Sequence, residues 1–487
     1  MSSAKLFTPI TLGGVELRNR IIVAPMCQYS AANGNASDWH LMHIGQFSVS
    51  GVGLIFMEAT GVTPQGRISP GCLGLWSDEN QAALKRVVDF CNDYGHAKMG
   101  IQLAHAGRKG STDLPWLGGA PIPSSDDRGW RTCGPSASPY SDAFELPDAL
   151  DEDGLNDIKA AFVQAAKRAD DAGFDVVEVH MAHGYLLHQF LSPLSNQRND
   201  DYGGSLEGRM KFPLEVFDAV RAIWPKHKAL GVRFSATDWV DNSSWDVPEA
   251  TAFSHELKRR GADFIDVSSG GNSPLQQIDV GPGYQTGFAS EIRRETGLPT
   301  MAVGQITEPK QAEAILRSGQ ADMISLARGM LYNPRWAWHA AEELDADWNI
   351  IDGDGCDMEY LKDQSEIIDA VYTSPPYYRN AEDYSDDPLD LCNMSIDQFD
   401  SRIDVLFSNL KRLIKKSSWE DKVFHPVIFV VGTSRLGKQG IFDMTHTFQR
   451  IAKEHSFTFH DQMFHAYHRF FHIILTLFPN NMVDLEI

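Results

Sequence analysis

Residues 18 to about 345 predict a (β/α)8 barrel, a TIM-barrel α/β fold, on three observations. Eight short apolar runs follow one another, each ending in a polar or glycine-rich turn: RIIVAPMCQ, GLIFMEATG, MGIQLAHAG, DVVEVHMAHG, LGVRFSATD, DFIDVSSGG, PTMAVGQIT and DMISLARGM. Their apolar character is continuous rather than alternating, as in parallel strands buried on both faces. A helix-patterned segment follows most of them, and eight strand–helix units close naturally into a barrel. A doubly wound sheet is the competing arrangement. It usually carries a GxGxxG turn after its first strand, and none stands there.

The elements justify themselves in order by what stands at their ends, because catalytic groups of such barrels gather at the carboxyl ends of the strands. The first run offers Ala24, Pro25, Met26 and Cys27, with Tyr29 just beyond; the second offers Ala59, and the third Gln102 and His105. The fourth carries His180, His183 and Tyr185 within six positions, after the short apolar stretch Val176–Val179. A single such residue is more often a satisfied core group, but three together at a strand end point to a catalytic mouth. The fifth run offers Arg233, the sixth Ser268–Gly271, the seventh Gly304 and the eighth Ala327, Arg328 and Gly329. Small residues after the last two strands, with an Arg, suit a phosphate held by backbone N–H groups. Gln102 can donate and accept, as the edge of a flavin pyrimidine ring requires, and Arg233 supplies a fixed positive charge for a reduced flavin. Between the runs, Thr307 reads as the N-cap of a helix begun by Glu308-Pro309 and ended by Gly319. Asp246 reads as the cap of one closed by Gly261. The stretch from Lys109 to about Asp151, rich in Gly, Pro, Ser and Trp, reads as an extended loop over the mouth, or else as surface filler.

Composition sets the outer bounds. The 487 residues exceed the ~250 typical of one such barrel, so a second unit is expected. A formal charge of −22 disfavours attraction to nucleic acid or anionic membranes. The start, MSSAKLFTPITLGG, has no apolar signal-like core, and no run reaches membrane-spanning length. Six cysteines form no CxxC pair and no disulfide-like spacing, which fits a reducing cytoplasm.

Taken together, KLFTPITL, RNRIIVAPMCQYS, EATGVTPQGRIS, GIQLAHAGRKG, HMAHGYLLHQFLSPLSNQR with DDYGGSLEGR, VRFSATD and VGQIT resemble the old yellow enzyme family of FMN-dependent ene-reductases, in its thermophilic-like branch. The resemblance spans residues 4–343. It implies a cytoplasmic oxidoreductase in which NADPH (or NADH) reduces FMN, which then passes hydride to the β-carbon of an α,β-unsaturated carbonyl. It also implies roles for particular residues. Ala24, Pro25, Met26, Cys27, Ala59, Gln102, Arg233, Gly304, Ala327 and Arg328 would meet FMN, and Cys27 would tune its potential. His180 and His183 would bind the substrate carbonyl, Tyr185 would donate the proton, and Tyr29 would stand at the mouth. Small enones are the implied partners. A homo-oligomer stays open, because the family's usual ending, whose Arg reaches a neighbouring subunit's site, is missing here.

The expected domains are 1–345, the FMN-binding barrel, and 346–487, a different text. After IIDAVY, read as a strand, Thr373-Ser374-Pro375-Pro376-Tyr377 resembles the (S/D)PPY motif of amino-methyltransferases acting on adenine or cytosine in DNA. The alternative is a Pro-rich turn. A helical run around Leu406–Lys416 and a strand over PVIFVVGTS follow, but VVGTSRLGKQG does not fit an S-adenosylmethionine turn. The tail therefore reads as an incomplete methyltransferase-like α/β fragment fused to a reductase, with DNA binding or amino-methyl transfer as the alternative activity. His460, His465, His468 and His472 read as an aromatic helix face rather than a metal site, and Arg379 is a candidate stand-in for the missing terminal Arg. A third possibility, a metal hydrolase on His105, His180 and His183, lacks the HxH on the first strand and the Asp on the eighth that it would want.

Overall fold

A computed structural model describes residues 4–346 except Asn242, together with five strand segments between residues 371 and 479. The chain divides into two compact units, Met1–Trp348 and Asn349–Ile487.

In the first unit the eight expected strands form one closed, all-parallel barrel: β1 (Ile21–Val23), β2 (Leu54–Gly61), β3 (Lys98–Ala104), β4 (Val176–Met181), β5 (Ala229–Ser235), β6 (Phe264–Ser268), β7 (Thr300–Ala302) and β8 (Met323–Leu326). Ile324 of β8 pairs with Ile21 of β1, which closes the ring and removes the doubly wound alternative. Helices α1 (Asp38–Ser48), α2 (Asp78–Tyr94), α3 (Glu152–Asp171), α4 (Leu206–Ile223), α5 (Val247–Arg259), α6 (Thr286–Thr296), α7 (Pro309–Arg317) and α8 (Trp336–Glu343) follow strands β1 to β8 in turn. Asp246 caps α5 by accepting from Val247 N at 2.7 Å, as expected. The cap of α7 is Glu308 rather than Thr307. Proline at the first helical position fixes its own φ and holds the residue before it extended, so the cap falls one residue later.

The floor of the barrel is apolar. An N-terminal hairpin, Ile10–Leu12 with Val15–Leu17, sends Leu12, Val15 and Leu17 into a cluster with Ile22, Leu54, Phe56, Val176, Phe264, Met301 and Met323. Two glycines make room for the rings. A Cβ on Gly100 would come within 2.6 Å of Phe56, and one on Gly231 within 2.4 Å of Phe264. Because side chains alternate along a strand, Glu178 and His180 share the inward face with Val176, and Asp266 and Ser268 share it with Phe264. The lumen thus rises from an apolar floor, through an ionisable middle, to imidazoles and a hydroxyl at the rim.

In the second unit Val371–Thr373 pairs in parallel with Val427–Arg435, which pairs antiparallel with Phe470–Pro479 and with Ile441–Asp443; Phe457–Tyr467 joins Phe470–Pro479. The strands expected over IIDAVY and PVIFVVGTS are present, the first as its last part. His460, His465 and His472 stand on strands, not on the expected helix, and His465 faces His472 across a pair. Their spacing imitates a helical period, but the Phe-, Ile- and Thr-rich text around them favours a pleated sheet. The helix expected near Leu406–Lys416, the Ser374–Tyr377 motif, Arg379 and His468 lie outside the described residues.

Candidate active site

At the carboxyl end of β4 the chain turns sharply before a short helix, Leu186–Leu191. His183 sits at φ 58, an uncommon left-handed value for a residue with a side chain, and is followed by Gly184 at φ 72. The loop after β6 comes against this turn backbone to backbone. A Cβ on Gly184 would lie 2.2 Å from the Gly271 carbonyl, and one on Gly271 2.5 Å from His183 Cα. Several groups hold the turn. His188 Nδ1 accepts from Gly184 N at 2.9 Å, His183 N donates to Ser235 Oγ at 3.0 Å, and Lys109 Nζ donates to the carbonyls of His183 (2.8 Å) and Gly271 (2.7 Å).

This turn gathers three predicted residues. The His180 and His183 rings are 5.1 Å apart and nearly perpendicular, and Tyr185 lies 5.2 Å from His180. His180 Nδ1 accepts from Ala182 N at 3.3 Å, which places the ring proton of the neutral imidazole on Nε2. His183 Nε2 is 2.7 Å from Ser268 Oγ. Burial, reinforced by Arg233, holds both imidazoles well below the usual histidine range, so both are neutral at physiological pH. Burial likewise drives the Tyr185 phenol well above its ordinary value and keeps it protonated.

The remaining predicted residues line the same rim. Ala24 N donates to Leu326 O at 2.9 Å where β1 meets β8, and Pro25, Met26 and Cys27 follow it half-buried. Burial, with Cys72 and then Glu58 adding to it, holds the Cys27 thiol protonated. Ala59 and Gln102 are buried at the ends of β2 and β3, and Gln102 Nε2 donates to Glu178 Oε1 at 2.7 Å. Arg233 is buried on β5 beside Asp266. Gly304 follows β7 at φ 120, Ala327 caps a short helix after β8, and Arg328 is exposed. Tyr29 meets Trp116 edge-on, with 6.2 Å between ring centres. Trp116 belongs to the loop expected over the mouth. From the same loop Tyr140 lies 4.8 Å from the Lys109 ammonium, which is 5.2 Å from the Tyr185 ring.

His105 goes elsewhere. It lines a cavity of about 250 Å³ with Thr63, Gln65 and Cys133, and burial lowers its pKa to about 4. Among the described residues no three His, Cys, Asp or Glu side chains come together as a metal site. Four residues that the ends of the apolar runs do not single out also stand at the site: Lys109, Glu58, Glu178 and Asp266. The signal for the last two was a carboxylate inside an otherwise apolar run, VVEVH and FIDVS. Glu58 lies under the Cys27 turn, accepting from Gln28 N at 3.0 Å, and burial raises its pKa to about 8.

The family model for the NADH:flavin oxidoreductase / NADH oxidase family matches residues 5–347. The chain belongs to that family. An NADPH dehydrogenase of Geobacillus sp. (strain WCH70) is 45% identical over 341 residues, which are 70% of this chain and 94% of the relative. The NADPH dehydrogenase of Bacillus subtilis (strain 168) is 41% identical over 345 residues, 70% and 96% of the two chains. Among solved structures, morphinone reductase is similar with a TM-score of 0.59 at 30% identity, covering 72% of this chain and 92% of its own. The old yellow enzyme homologue of Zymomonas mobilis gives 0.59 at 27% identity, covering 71% and 95%. The barrel unit is thus a flavin-dependent NAD(P)H oxidoreductase of the old yellow enzyme type, with FMN as its cofactor. The rim suits that group. Alanines and a glycine let the backbone be approached, Gln102 can meet a donor–acceptor edge, and the buried Arg233 Nε has no hydrogen-bond partner. No helix among the described residues is long and apolar enough to cross a membrane.

Proposed function

We propose that the barrel reduces the carbon–carbon double bond of small α,β-unsaturated carbonyl compounds. In this reading Ala24, Pro25, Met26, Cys27, Ala59, Gln102, Arg233, Gly304, Ala327 and Arg328 hold FMN, which supplies hydride once NAD(P)H has reduced it. The chain's own residues do the rest. His180 directs Nε2–H at the substrate carbonyl. His183, whose Nε2 lies 2.7 Å from Ser268 Oγ, offers its ring N–H as a second donor. Two preorganised neutral donors stabilise the negative charge that builds on the oxygen as hydride reaches the β-carbon. Tyr185 gives its phenolic proton to the α-carbon, and Tyr29 with Trp116 makes an aromatic side to the entrance. The observation that carries this reading is the His180 and His183 rings set 5.1 Å apart and nearly perpendicular, with the Tyr185 ring 5.2 Å from His180.

The purified chain is expected to be yellow, to bleach with NADPH under nitrogen, and to regain its colour on adding cyclohexenone. A colourless protein, or colour restored by oxygen but not by the enone, overturns the proposal.

Residues 346–487 are read as an appendage not needed for this chemistry. A chain ending at residue 345 is expected to keep its FMN and its enone reduction within about twofold, as a unit with its own core would; loss of flavin would refute the boundary. One observation favours the methyltransferase-like reading of the tail. Val371–Thr373, which precedes the Ser374–Tyr377 motif in the sequence, pairs in parallel with Val427–Arg435, as strands of open α/β sheets do. A cytoplasmic setting fits the free Cys27, Cys72, Cys91 and Cys133.

A further inference from the structure

Below the histidines, three ionisable side chains occupy the middle of the lumen on adjacent strands. Glu178 (β4) and Asp266 (β6) flank Arg233 (β5), whose Cα pairs with those of His180 and Asp266. Both carboxylates are fully buried and Arg233 is 7% exposed. Their hydrogen-bonding capacity is poorly filled. Glu178 Oε1 accepts from Gln102, but Glu178 Oε2, both Asp266 oxygens and Arg233 Nε have no hydrogen-bond partner. Arg233 Nε lies 3.3 Å from Asp266 Oδ2, so Asp266 is its ionic partner.

Two buried carboxylates therefore stand either side of one guanidinium, ion-paired with Asp266 and close enough for its charge to act on Glu178. The charges acting on Glu178 are Asp266, which opposes its ionisation, and Arg233, which favours it; Gln102 adds a hydrogen bond. From the rim, His180 and His183 face Arg233 as neutral rings, and the Lys109 ammonium is engaged with the carbonyls of His183 and Gly271. A second buried carboxylate with an empty oxygen weakens a core unless its protonation is used.

We propose that Glu178 is a proton-accepting site coupled to the redox state of the flavin, through the Arg233 that stands between it and Asp266. This rests on the reading above, in which FMN lies against Gln102 and Arg233. Bound FMN that has taken a hydride (two electrons and a proton) from NAD(P)H, released as NAD(P)+, would carry one negative charge. Arg233 would be drawn on by that charge, and where Glu178 is still ionised its carboxylate takes one proton from water to become the acid, so that the net charge of the site is then unchanged. After the hydride has passed to the enone β-carbon and Tyr185 has protonated the α-carbon, Glu178 gives its proton back to water and the Tyr185 phenolate takes one from water.

Burial first, then Asp266, raises Glu178 to about 8. Below that pH the oxidised protein already holds the proton and reduction adds none there. Above it, Glu178 is ionised in the oxidised protein and reprotonated on reduction.

The test is the midpoint potential of the FMN bound to the full chain, measured against reference dyes from about pH 6 to about pH 9.5. The reduction equilibrium is expected to change tenfold per pH unit on the acid side, from the flavin's own proton. On the alkaline side it should change a hundredfold, each tenfold being ~30 mV for a two-electron couple. E178Q should give the tenfold slope throughout. D266N should move the break to lower pH, because the charge opposing Glu178 is gone. A wild-type slope that stays tenfold through the alkaline range overturns the inference whether or not the variants fold. So does a steep limb that survives in E178Q. A chain without FMN overturns the proposed function and this inference with it, whereas a yellow, NADPH-bleached protein with a straight plot fails the inference alone.

Discussion

Replacing His180 and His183 together by alanine is expected to abolish the long-wavelength charge-transfer band that phenols give over FMN, and to cut enone turnover by at least three orders of magnitude. Removing one preorganised donor to a developing oxyanion typically costs about 10²–10³ in rate. The two donors here stand on one turn, with ring centres 5.1 Å apart. Each single variant should lose about 10²-fold, and the pair less than the product, because either ring alone still offers one N–H. FMN content should be unchanged, since both histidines are assigned to substrate rather than cofactor. Burial holds both imidazoles well below the usual histidine range, so wild-type phenol binding should show no histidine titration around physiological pH. A double variant that still gives the band with full intensity would remove the assigned roles.

Tyr185→Phe separates the two halves of the cycle. The phenol is held protonated, and its proton is assigned to the substrate α-carbon, a contribution of about 10²–10⁴ for a positioned general acid. Bleaching of the flavin by NADPH in a stopped-flow experiment should proceed at the wild-type rate. Recolouring by cyclohexenone should slow by about 10²-fold or more, while recolouring by oxygen, which needs no α-carbon proton, should not change. Equal slowing of both half-reactions would instead assign Tyr185 to flavin positioning. The Lys109 ammonium lies 5.2 Å from the centre of the Tyr185 ring.

Much of this was legible in the chain. Runs such as DVVEVHMAHG and DFIDVSSGG announce buried parallel strands by continuous apolar text, and a parallel barrel displays its chemistry where each run ends. Ala24–Cys27, Ala59, Gln102, His180 and Arg233 could be placed on one rim by that rule alone. His105 obeys the same rule on paper yet faces a separate cavity, because the residue that leaves a strand can turn either way and only its packing decides. The helix expected around His465 and His472 failed for a different reason. Three- and four-residue spacings arise by chance, while the aromatic and β-branched content around them favoured strands.

The sequence by itself determined the barrel, the family and the set of groups at its mouth, since these depend on periodicity and on position within a run. What only the folded chain reveals is that His180 Nδ1 accepts from Ala182 N, why Gly184 and Gly271 must both lack a side chain, and that Glu178 and Asp266 are buried either side of a single arginine. Each of those depends on atoms brought together from strands far apart in the chain. Hydrogen bonds and charges act over a few ångströms of space, whatever the separation along the sequence.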